Sequence, residues 1–235
     1  MALPKLELPT FSLLLPSNGE TVKYRPFLVK EQKQLLIATG GSIEQQAHTV
    51  LDLVNLCTFE KLNVYGLPAY DIEYLFLQIR ARSVGENIDL VLTCSECENK
   101  MDGSLDLTTV SVNKPEHSYN VDLGSGLMLT MKDPDLIATT EFRDETISPE
   151  RTDAVIRLIA RCIKNVWKDG ENYAITDYSL AETIEFVENL SPANLESIQQ
   201  FLITLPTLRH TIDYTCDKCG AKNSATLEGL QSFFA

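Results

Sequence analysis

The chain has 235 residues, of which 44% are hydrophobic and 23% charged, and it carries a formal net charge of −13. This length corresponds to one large domain or two small ones. The acidity disfavours binding to phosphate backbones, because lysine and arginine are scattered and form no basic patch. No apolar run approaches the roughly 18 residues that a membrane helix needs.

The N-terminal segment MALPKLELPTFSLLLP is not typical of a secretory leader. It carries Glu7 and three prolines, and it lacks both a basic region and a small-residue cleavage site. We therefore expect synthesis in the cytosol. Cysteines are normally reduced there, so the six cysteines of the chain are not expected to form disulfides.

The first predicted element is a β-hairpin. The segments TFSLLLP and TVKYRPF flank SNGE, in which Asn18-Gly19 is a turn signal. Pro16 and Pro26 are expected at strand ends or on a sheet edge, because proline donates no hydrogen bond to a neighbouring strand.

Three helices are predicted next. Residues 30–39 form a short helical pattern. Ser42 and Gln45 have the spacing of a capping box, and apolar residues recur at helical spacing after them as far as Cys57. Residues 70–84 predict a third helix, with acids in the first turn and arginines near the end, as the helix dipole favours.

Strands follow in the middle of the chain. Residues 87–93 and 101–107 predict a hairpin with CSEC at its tip, and residues 123–131 predict a further strand. The weakest connection between two halves of the chain lies near residues 113–117, and the polar run 141–150 is a second candidate. We therefore divide the chain into residues 1–112 and 113–235, which form two domains or one intertwined domain.

Helical patterns return in the second half. Ser148-Pro149 has the order of an N-cap followed by proline, and the apolar stripe after it extends to Val166. Ser179 is spaced from Glu182 as in a capping box, and Ser191-Pro192 opens another helix. The chain then closes with a strand, a second cysteine turn, a return strand and an apolar tail.

Two of the six cysteines fit a hydrophobic core. Cys57 and Cys162 each lie on the apolar face of a predicted helix. Cysteine is among the residues most often buried, and in such positions it acts as a small hydrophobic side chain. We expect both to be buried.

The other four cysteines form a repeated phrase. TCSEC at residues 93–97 returns as TCDKC at residues 215–219. In both copies an aliphatic residue lies four positions before the first cysteine, and a leucine lies eight positions after the second. Each copy therefore predicts a strand, a cysteine knuckle and a return strand, which is half of a zinc ribbon.

The four cysteines of these phrases are the predicted metal ligands Cys94, Cys97, Cys216 and Cys219. A CxxC turn directs two thiolates at one point, and zinc is bound by four tetrahedral ligands. Each knuckle supplies two of these ligands, so we predict one zinc site shared by both knuckles. The site is expected to be structural, because four cysteine ligands leave no position for a reacting water. The alternatives are a redox pair, thiols without a metal, and knuckles that pair with those of a second subunit.

The sequence offers no constellation that names a reaction. The three histidines, His48, His117 and His210, have no spacing that implies a partner. The nucleophile-elbow, phosphate-loop, zinc-protease and EF-hand motifs are absent. We therefore predict a protein that is not an enzyme.

Three stretches carry a family resemblance. They are RPFLVKEQKQLL (25–36), YDIEYLFLQIRARSVGE (70–86) and TCDKCGAKNSATLEGLQSFF (215–234). Together and in this order they resemble the baseplate hub assembly proteins of T4-like contractile-tailed bacteriophages. The likeness runs over most of the chain and is weakest around residues 110–180.

The resemblance implies a late viral protein needed to build the central hub of the tail baseplate. Its expected partners are hub and tape-measure proteins, with which it acts as an assembly chaperone or a virion component. It is expected in the host cytoplasm during assembly or in the virion tail baseplate. The resemblance does not supply the zinc prediction, which rests on the cysteines of this chain.

Two apolar segments are candidate partner-binding surfaces. The first is the C-terminal tail, with Leu230, Phe233 and Phe234. The second is the N-terminal segment 3–15, whose prolines keep it extended and suited to a partner's sheet edge. The alternative for both is packing on the protein's own core.

Taken together, the patterns predict an α+β protein with an N-terminal β-hairpin, a mainly helical body and split zinc-ribbon-like hairpins at residues 87–107 and 209–228. We predict a baseplate hub assembly or structural protein that binds other proteins. The alternative is a zinc-ribbon regulatory protein that binds nucleic acid, which the net charge of −13 disfavours.

Overall fold

The computed structural model describes residues 8–144 and 151–229. These divide into two compact units. The first is made of the described residues of Met1–Gly41, His48–Asn113 and Thr207–Ala235, and the second of Ser42–Ala47 and the described residues of Lys114–Pro206. The chain thus leaves the first unit and returns to it. In the part of the chain described, no helix combines the length and apolarity needed to span a membrane.

Helices and strands are mixed throughout, which confirms the predicted α+β class. The helices are α1 (Val29–Ala38), α2 (Ile43–Cys57), α3 (Ala69–Ser83), α4 (Leu136–Asp144), α5 (Arg151–Cys162), α6 (Leu180–Glu188) and α7 (Pro192–Ile203). The strands are β1 (Phe11–Leu14), β2 (Thr21–Tyr24), β3 (Asn87–Thr93), β4 (Lys100–Asp106), β5 (Ser111–Asn113), β6 (Asn120–Gly124), β7 (Leu127–Met131), β8 (Ile163–Lys168), β9 (Glu171–Ala174), β10 (Thr207–Thr215) and β11 (Lys222–Glu228).

The predicted N-terminal hairpin is present as the antiparallel pair β1–β2. Its connection is longer than a two-residue turn, because the N–H of Leu15 donates to the carbonyl of Glu20 at 2.9 Å. Gly19 takes a φ of +72° in this loop, a conformation that glycine adopts without steric cost. The Asn18-Gly19 pair therefore predicted the position of the chain reversal correctly, but it did not predict the length of the connecting loop.

The first unit is built around α3 and the two cysteine hairpins. Leu77 and Ala81 of α3 share a hydrophobic core with Leu90 and Leu105 of the β3–β4 hairpin and with Leu208 of β10. Ile212 and Leu227 of the β10–β11 hairpin pack against the same core. The aliphatic positions repeated around each CxxC phrase thus anchor both hairpins. The hairpin β10–β11 is extended by β5 into a three-stranded sheet.

The second unit is an antiparallel four-stranded sheet with the order β6-β7-β8-β9. Its core combines apolar side chains of this sheet with those of α4, α5, α6 and α7. Leu129 of β7 and Ile159 of α5 are fully buried, as is Ile198 of α7. Within the described residues, this unit contains the four helices α4 to α7.

One predicted helix is wrong in its last turn. The stripe expected to continue to Val166 ends with α5 at Cys162, and the next six residues form β8. An Asp169-Gly170 turn with φ values of +52° and +89° leads into β9. An Asp-Gly pair with positive φ at both positions is typical of a tight hairpin turn. Two buried residues of β8, Ile163 and Val166, also lie three positions apart. This spacing matches that of a helix, so the pattern of α5 continues into the strand.

The helix starts were better predicted. The Ser179 hydroxyl accepts a hydrogen bond from the N–H of Glu182, whose carboxylate accepts from Ser179 in return. Ser191 caps α7 with Pro192 as its first residue. The predicted opening at Ser148-Pro149 lies outside the described residues. The division into residues 1–112 and 113–235 concerns folding units and stays a prediction.

Candidate metal centre

Each CxxC phrase forms the same backbone turn at the tip of its hairpin. In the first knuckle the N–H of Cys94 donates to the carbonyl of Asn99 at 2.9 Å, and the N–H of Glu98 donates to the carbonyl of Cys94 at 3.0 Å. In the second, the N–H of Cys216 donates to the carbonyl of Ala221 at 2.8 Å, and the N–H of Gly220 donates to the carbonyl of Cys216 at 3.0 Å. The repeated phrase is therefore a repeated structure.

The residue after the second cysteine reverses the chain in both turns. Gly220 has a φ of +71° and Glu98 a φ of +56°. Glycine adopts this left-handed conformation freely, whereas a glutamate does so at some cost.

The four predicted ligands meet at one point. Their sulfur atoms all lie within 4.8 Å of one another. Across the two hairpins Cys94 Sγ lies 3.6 Å from Cys219 Sγ, and Cys97 Sγ lies 3.7 Å from Cys216 Sγ. A regular tetrahedron with zinc–sulfur bonds of about 2.3 Å has edges of about 3.8 Å. The donor set and its spacing thus fit a tetrathiolate metal ion.

The two hairpins are related by an approximate two-fold symmetry. In each, the threonine before the first cysteine pairs with a lysine on the return strand, as Thr93 with Lys100 and Thr215 with Lys222. The N–H after the first cysteine then donates to a side chain of the opposite hairpin. Ser95 N–H donates to Asn223 Oδ1 at 2.9 Å.

The symmetry-related contact uses a sulfur acceptor. Asp217 N–H donates to Met101 Sδ at 3.4 Å. Met101 and Asn223 each lie four residues after the second cysteine of their own hairpin. Two equivalent positions thus hold the knuckles together with different side chains.

Further polar contacts join the hairpins. Asn223 Nδ2 donates to Cys94 Sγ at 3.6 Å, and Asn99 Nδ2 donates to Asp217 Oδ1 at 2.6 Å. The Tyr214 hydroxyl donates to the Thr93 carbonyl at 2.7 Å. Hydrogen bonds to a ligating sulfur orient it and tune its basicity. Asn223 is the side chain placed to do this for Cys94.

The knuckle amides act unequally on the four thiols. The N–H of Glu96, followed by that of Cys97, lowers the pKa of Cys94 to about 6. The N–H of Cys219, followed by that of Lys218, lowers the pKa of Cys216. One thiol in each knuckle is therefore favoured as a thiolate, which is the form that binds metal.

The second thiol of each knuckle behaves in the opposite way. The N–H of Ala221 lowers the pKa of Cys219, but the sulfurs of Cys97 and Cys216 outweigh it and raise this pKa to about 12. The pKa of Cys97 is also raised, since neighbouring thiols and burial outweigh the N–H of Asn99. When thiols lie this close together, a thiolate at one sulfur raises the pKa of its neighbours. A bound cation would favour the thiolate form of all four cysteines and so release their protons.

The remaining predicted residues lie elsewhere. Cys57 and Cys162 are fully buried, as expected, and burial raises the pKa of each thiol to about 12. None of the three histidines belongs to the cysteine cluster within the described residues. His117 packs on the rings of Tyr119 and Phe201.

The two candidate partner-binding segments are only partly described. Leu230, Phe233 and Phe234 lie outside the described residues. Of the N-terminal segment 3–15, the described portion contains β1, which pairs with β2 of the same chain.

Sequence reasoning missed the residues that join the knuckles. Met101 and Asn223 carry no motif by themselves. A signal was available, because both occupy the same position relative to their CxxC pair, and this position faces the opposite knuckle once the hairpins pair.

Fold and site together define a mixed α+β protein in which two cysteine hairpins from distant parts of the chain present four thiols to one point. Residues 8–235 match the family described as T4 bacteriophage base plate protein. The chain belongs to this family and is a structural protein of the phage baseplate. No curated protein and no solved structure matches it.

Proposed function

We propose that this baseplate protein acts in assembly of the tail hub, by binding hub or tape-measure proteins, and that one structural zinc ion closes its two cysteine knuckles. The family supports the baseplate role. The single observation that carries the metal is the convergence of four sulfurs within 4.8 Å in one chain. The resemblance of residues 25–36, 70–86 and 215–234 to hub assembly proteins supports the finer role.

A zinc ion in this position is structural. Cys94, Cys97, Cys216 and Cys219 would supply all four tetrahedral ligands, so no position would be open to a substrate or a reacting water. The ion would join two hairpins that anchor in the same core. The alternative of one knuckle pairing with a second subunit is less favoured, because the sulfurs of a single chain already lie at tetrahedral spacing.

Native mass spectrometry of the purified protein, before and after acid denaturation, tests the metal proposal. We expect one zinc ion for each chain, bound in the native protein whatever its subunit number and lost on denaturation. Zinc found only in dimers would place the knuckles between subunits. A native protein without zinc, purified under reducing conditions without chelator, would contradict the proposal.

Ligand substitutions test whether the knuckles share one ion. Cys94→Ser and Cys216→Ser should each abolish stoichiometric zinc and lower the melting temperature by similar amounts. Glu96→Ser and Lys218→Ser change exposed residues of the same turns, and both should retain the ion. Unequal, small effects of the two cysteine substitutions would argue against a shared site.

The assembly role is tested by co-expression with the hub and tape-measure proteins of the same phage. We expect a tagged chain to co-purify with at least one of them, and binding that is unaffected by deletion of residues 230–235 would exclude the apolar tail as the binding segment. If the intact chain binds none of these proteins and its loss leaves hub assembly normal, the hub role is wrong.

A further inference from the structure

Helix α1 exposes an apolar face. Val29, Leu36 and Ile37 are 82%, 66% and 67% exposed. With about 3.6 residues per turn, these residues lie on one side of the helix, and Glu31 lies on the opposite side. Glu31 is the buried residue of α1, so the apolar face is the one turned away from the unit to which α1 belongs.

The same face is basic. Lys30 and Lys33 are exposed, and Lys33 lies between the apolar residues on the helix surface. The only acid of α1 is Glu31, whose carboxylate is bound by Arg25. In a chain with a net charge of −13, this helix is a local basic surface with apolar side chains.

The second unit has a groove of the opposite character. A cavity of about 550 Å³ is bordered by the sheet, by the 3₁₀ turn Ile175–Asp177 and by α6. Its walls are mainly apolar, and the lining residues include Leu127, Val166 and Phe186. Tyr173 and Tyr178 line it while remaining 37% and 44% exposed. Its volume lies within the range of about 300–1,000 Å³ typical of small-molecule pockets.

The surroundings of this groove are acidic. Glu182 lines it, and Glu171 accepts a hydrogen bond of 2.6 Å from the Tyr173 hydroxyl. Asp177 ends the 3₁₀ turn that borders it. Lys168 also lines the groove, and its ammonium group donates to the carbonyl of Ser125 at 2.6 Å.

We propose that α1 of one copy of this chain docks into the groove of the second unit in another copy. The two surfaces are complementary in both respects, because a basic helix with exposed aliphatic side chains meets an acidic groove with apolar walls. Complementary charge selects the partner and orients it, while burial of the aliphatic side chains provides most of the affinity.

Such an interface is heterologous, since a different surface is used on each copy. After two copies pair, one keeps an unused groove and the other an unused helix, so further copies add head to tail. The product is a closed ring or an open chain. The proposal does not depend on the metal site and goes beyond the hub role, because it concerns contacts between copies of this protein.

The first test is the subunit number as a function of concentration, measured by analytical ultracentrifugation on the full chain. We expect the wild type to associate beyond the dimer. Leu36→Gln with Ile37→Gln should raise the dissociation constant by about tenfold or more, because it removes apolar anchors. The matched control, Val91→Gln with Ile203→Gln, changes two equally exposed residues and should associate as the wild type does.

The charge requirement has its own matched pair. Lys30→Glu with Lys33→Glu places acids against the acidic groove and should prevent association. Lys23→Glu with Lys61→Glu makes the same change in net charge at other exposed positions. If both pairs weaken association equally, general repulsion explains the effect and the proposed contact is wrong.

Mixing distinguishes a heterologous interface from a symmetric one. The helix variant Leu36→Gln with Ile37→Gln and the groove variant Tyr173→Gln with Tyr178→Gln should each be monomeric alone. Together they should form a 1:1 dimer that does not grow, because one intact helix and one intact groove remain. Failure to form this dimer from folded variants would overturn the proposal.

Two further results would also overturn it. One is a wild type that stays monomeric at every accessible concentration. The other is a groove variant that self-associates normally but loses binding to a hub or tape-measure protein, which would assign the groove to a different baseplate protein.

Discussion

At the scale of single residues, a buried ion pair attaches α1 to the rest of its unit. The guanidinium of Arg25 binds both carboxylate oxygens of Glu31, at 2.8 and 2.9 Å. The N–H of Leu28 donates to the same carboxylate at 2.6 Å. Arg25 in turn donates its backbone N–H to the carbonyl of Cys57 at 3.0 Å. Apart from Cys57, the residues of this network lie within the stretch 25–36 that carries part of the family resemblance.

Folding lowers the pKa of the Glu31 carboxyl group. Burial raises the pKa of Glu31, but the hydrogen bonds from Arg25 and from the Leu28 N–H outweigh burial and bring the pKa below its ordinary value. The native state therefore binds this proton less tightly than the unfolded chain does. The stabilisation is complete above the unfolded pKa of about 4.3 and is lost as the pH falls through the lower native pKa.

We therefore predict that Glu31→Gln lowers the free energy of unfolding by roughly 3 kcal/mol at neutral pH, because it leaves Arg25 without its charged partner. The difference from the wild type should shrink as the pH falls below about 4. Urea unfolding of both proteins across this range measures it. Glu20→Gln, at an exposed position, is the control, and a Glu31→Gln penalty that is independent of pH would contradict the argument.

The sequence predicted the four cysteines of the site but not their supporting side chains. Spacing alone identifies a CxxC pair, since both ligands lie in one turn. The contacts of Asn223 with Ser95 and Cys94 cross between hairpins more than a hundred residues apart in the chain. They depend on how two sheets meet, which local periodicity does not encode.

At the scale of elements, a helix or strand is predicted correctly from the sequence where its periodicity and its turn residues indicate the same structure. The hairpins on either side of the knuckles were located within a residue or two, because alternation and the CxxC turn agree. The β8–β9 hairpin was missed. Its buried residues Ile163 and Val166 continue the spacing of α5, so the helical pattern masked an Asp-Gly turn signal three residues further on.

The turn of this missed hairpin offers a test of its geometry. Gly170 has a φ of +89°, and a Cβ added there would meet open space. We predict that Gly170→Ala lowers the free energy of unfolding by about 1 kcal/mol through backbone strain alone. Gly40→Ala serves as the control in urea unfolding, since Gly40 does not have a positive φ. Equal effects of the two substitutions would mean that the turn is not left-handed.

At the scale of the whole molecule, the larger part of the second unit is an insertion in the sequence of the first. Residues Lys114–Pro206 lie between the two cysteine hairpins of the first unit. Cys97 and Cys216, which meet at the cluster, are 119 positions apart. A cross-link at this point constrains a long loop of the unfolded chain, and the stabilisation from such a constraint grows with loop length.

The zinc proposal makes a prediction at this scale. Removal of the ion by a chelator should lower the free energy of unfolding by about 5 kcal/mol, by analogy with a covalent link that closes a loop of this size. Scanning calorimetry with and without chelator measures the change. The Cys94→Ser variant should not respond to chelator, and a wild type that does not respond either would remove the structural role of the metal.

The insertion also determines when the cluster can form during synthesis. At about 5–20 residues per second, the ribosome needs about 6–24 seconds to add the 119 positions that separate Cys97 from Cys216. Throughout this interval the first knuckle has two cysteines and no counterpart. A chain that terminates early never acquires the second pair, so closure of the cluster distinguishes completed chains from truncated ones before any partner is bound.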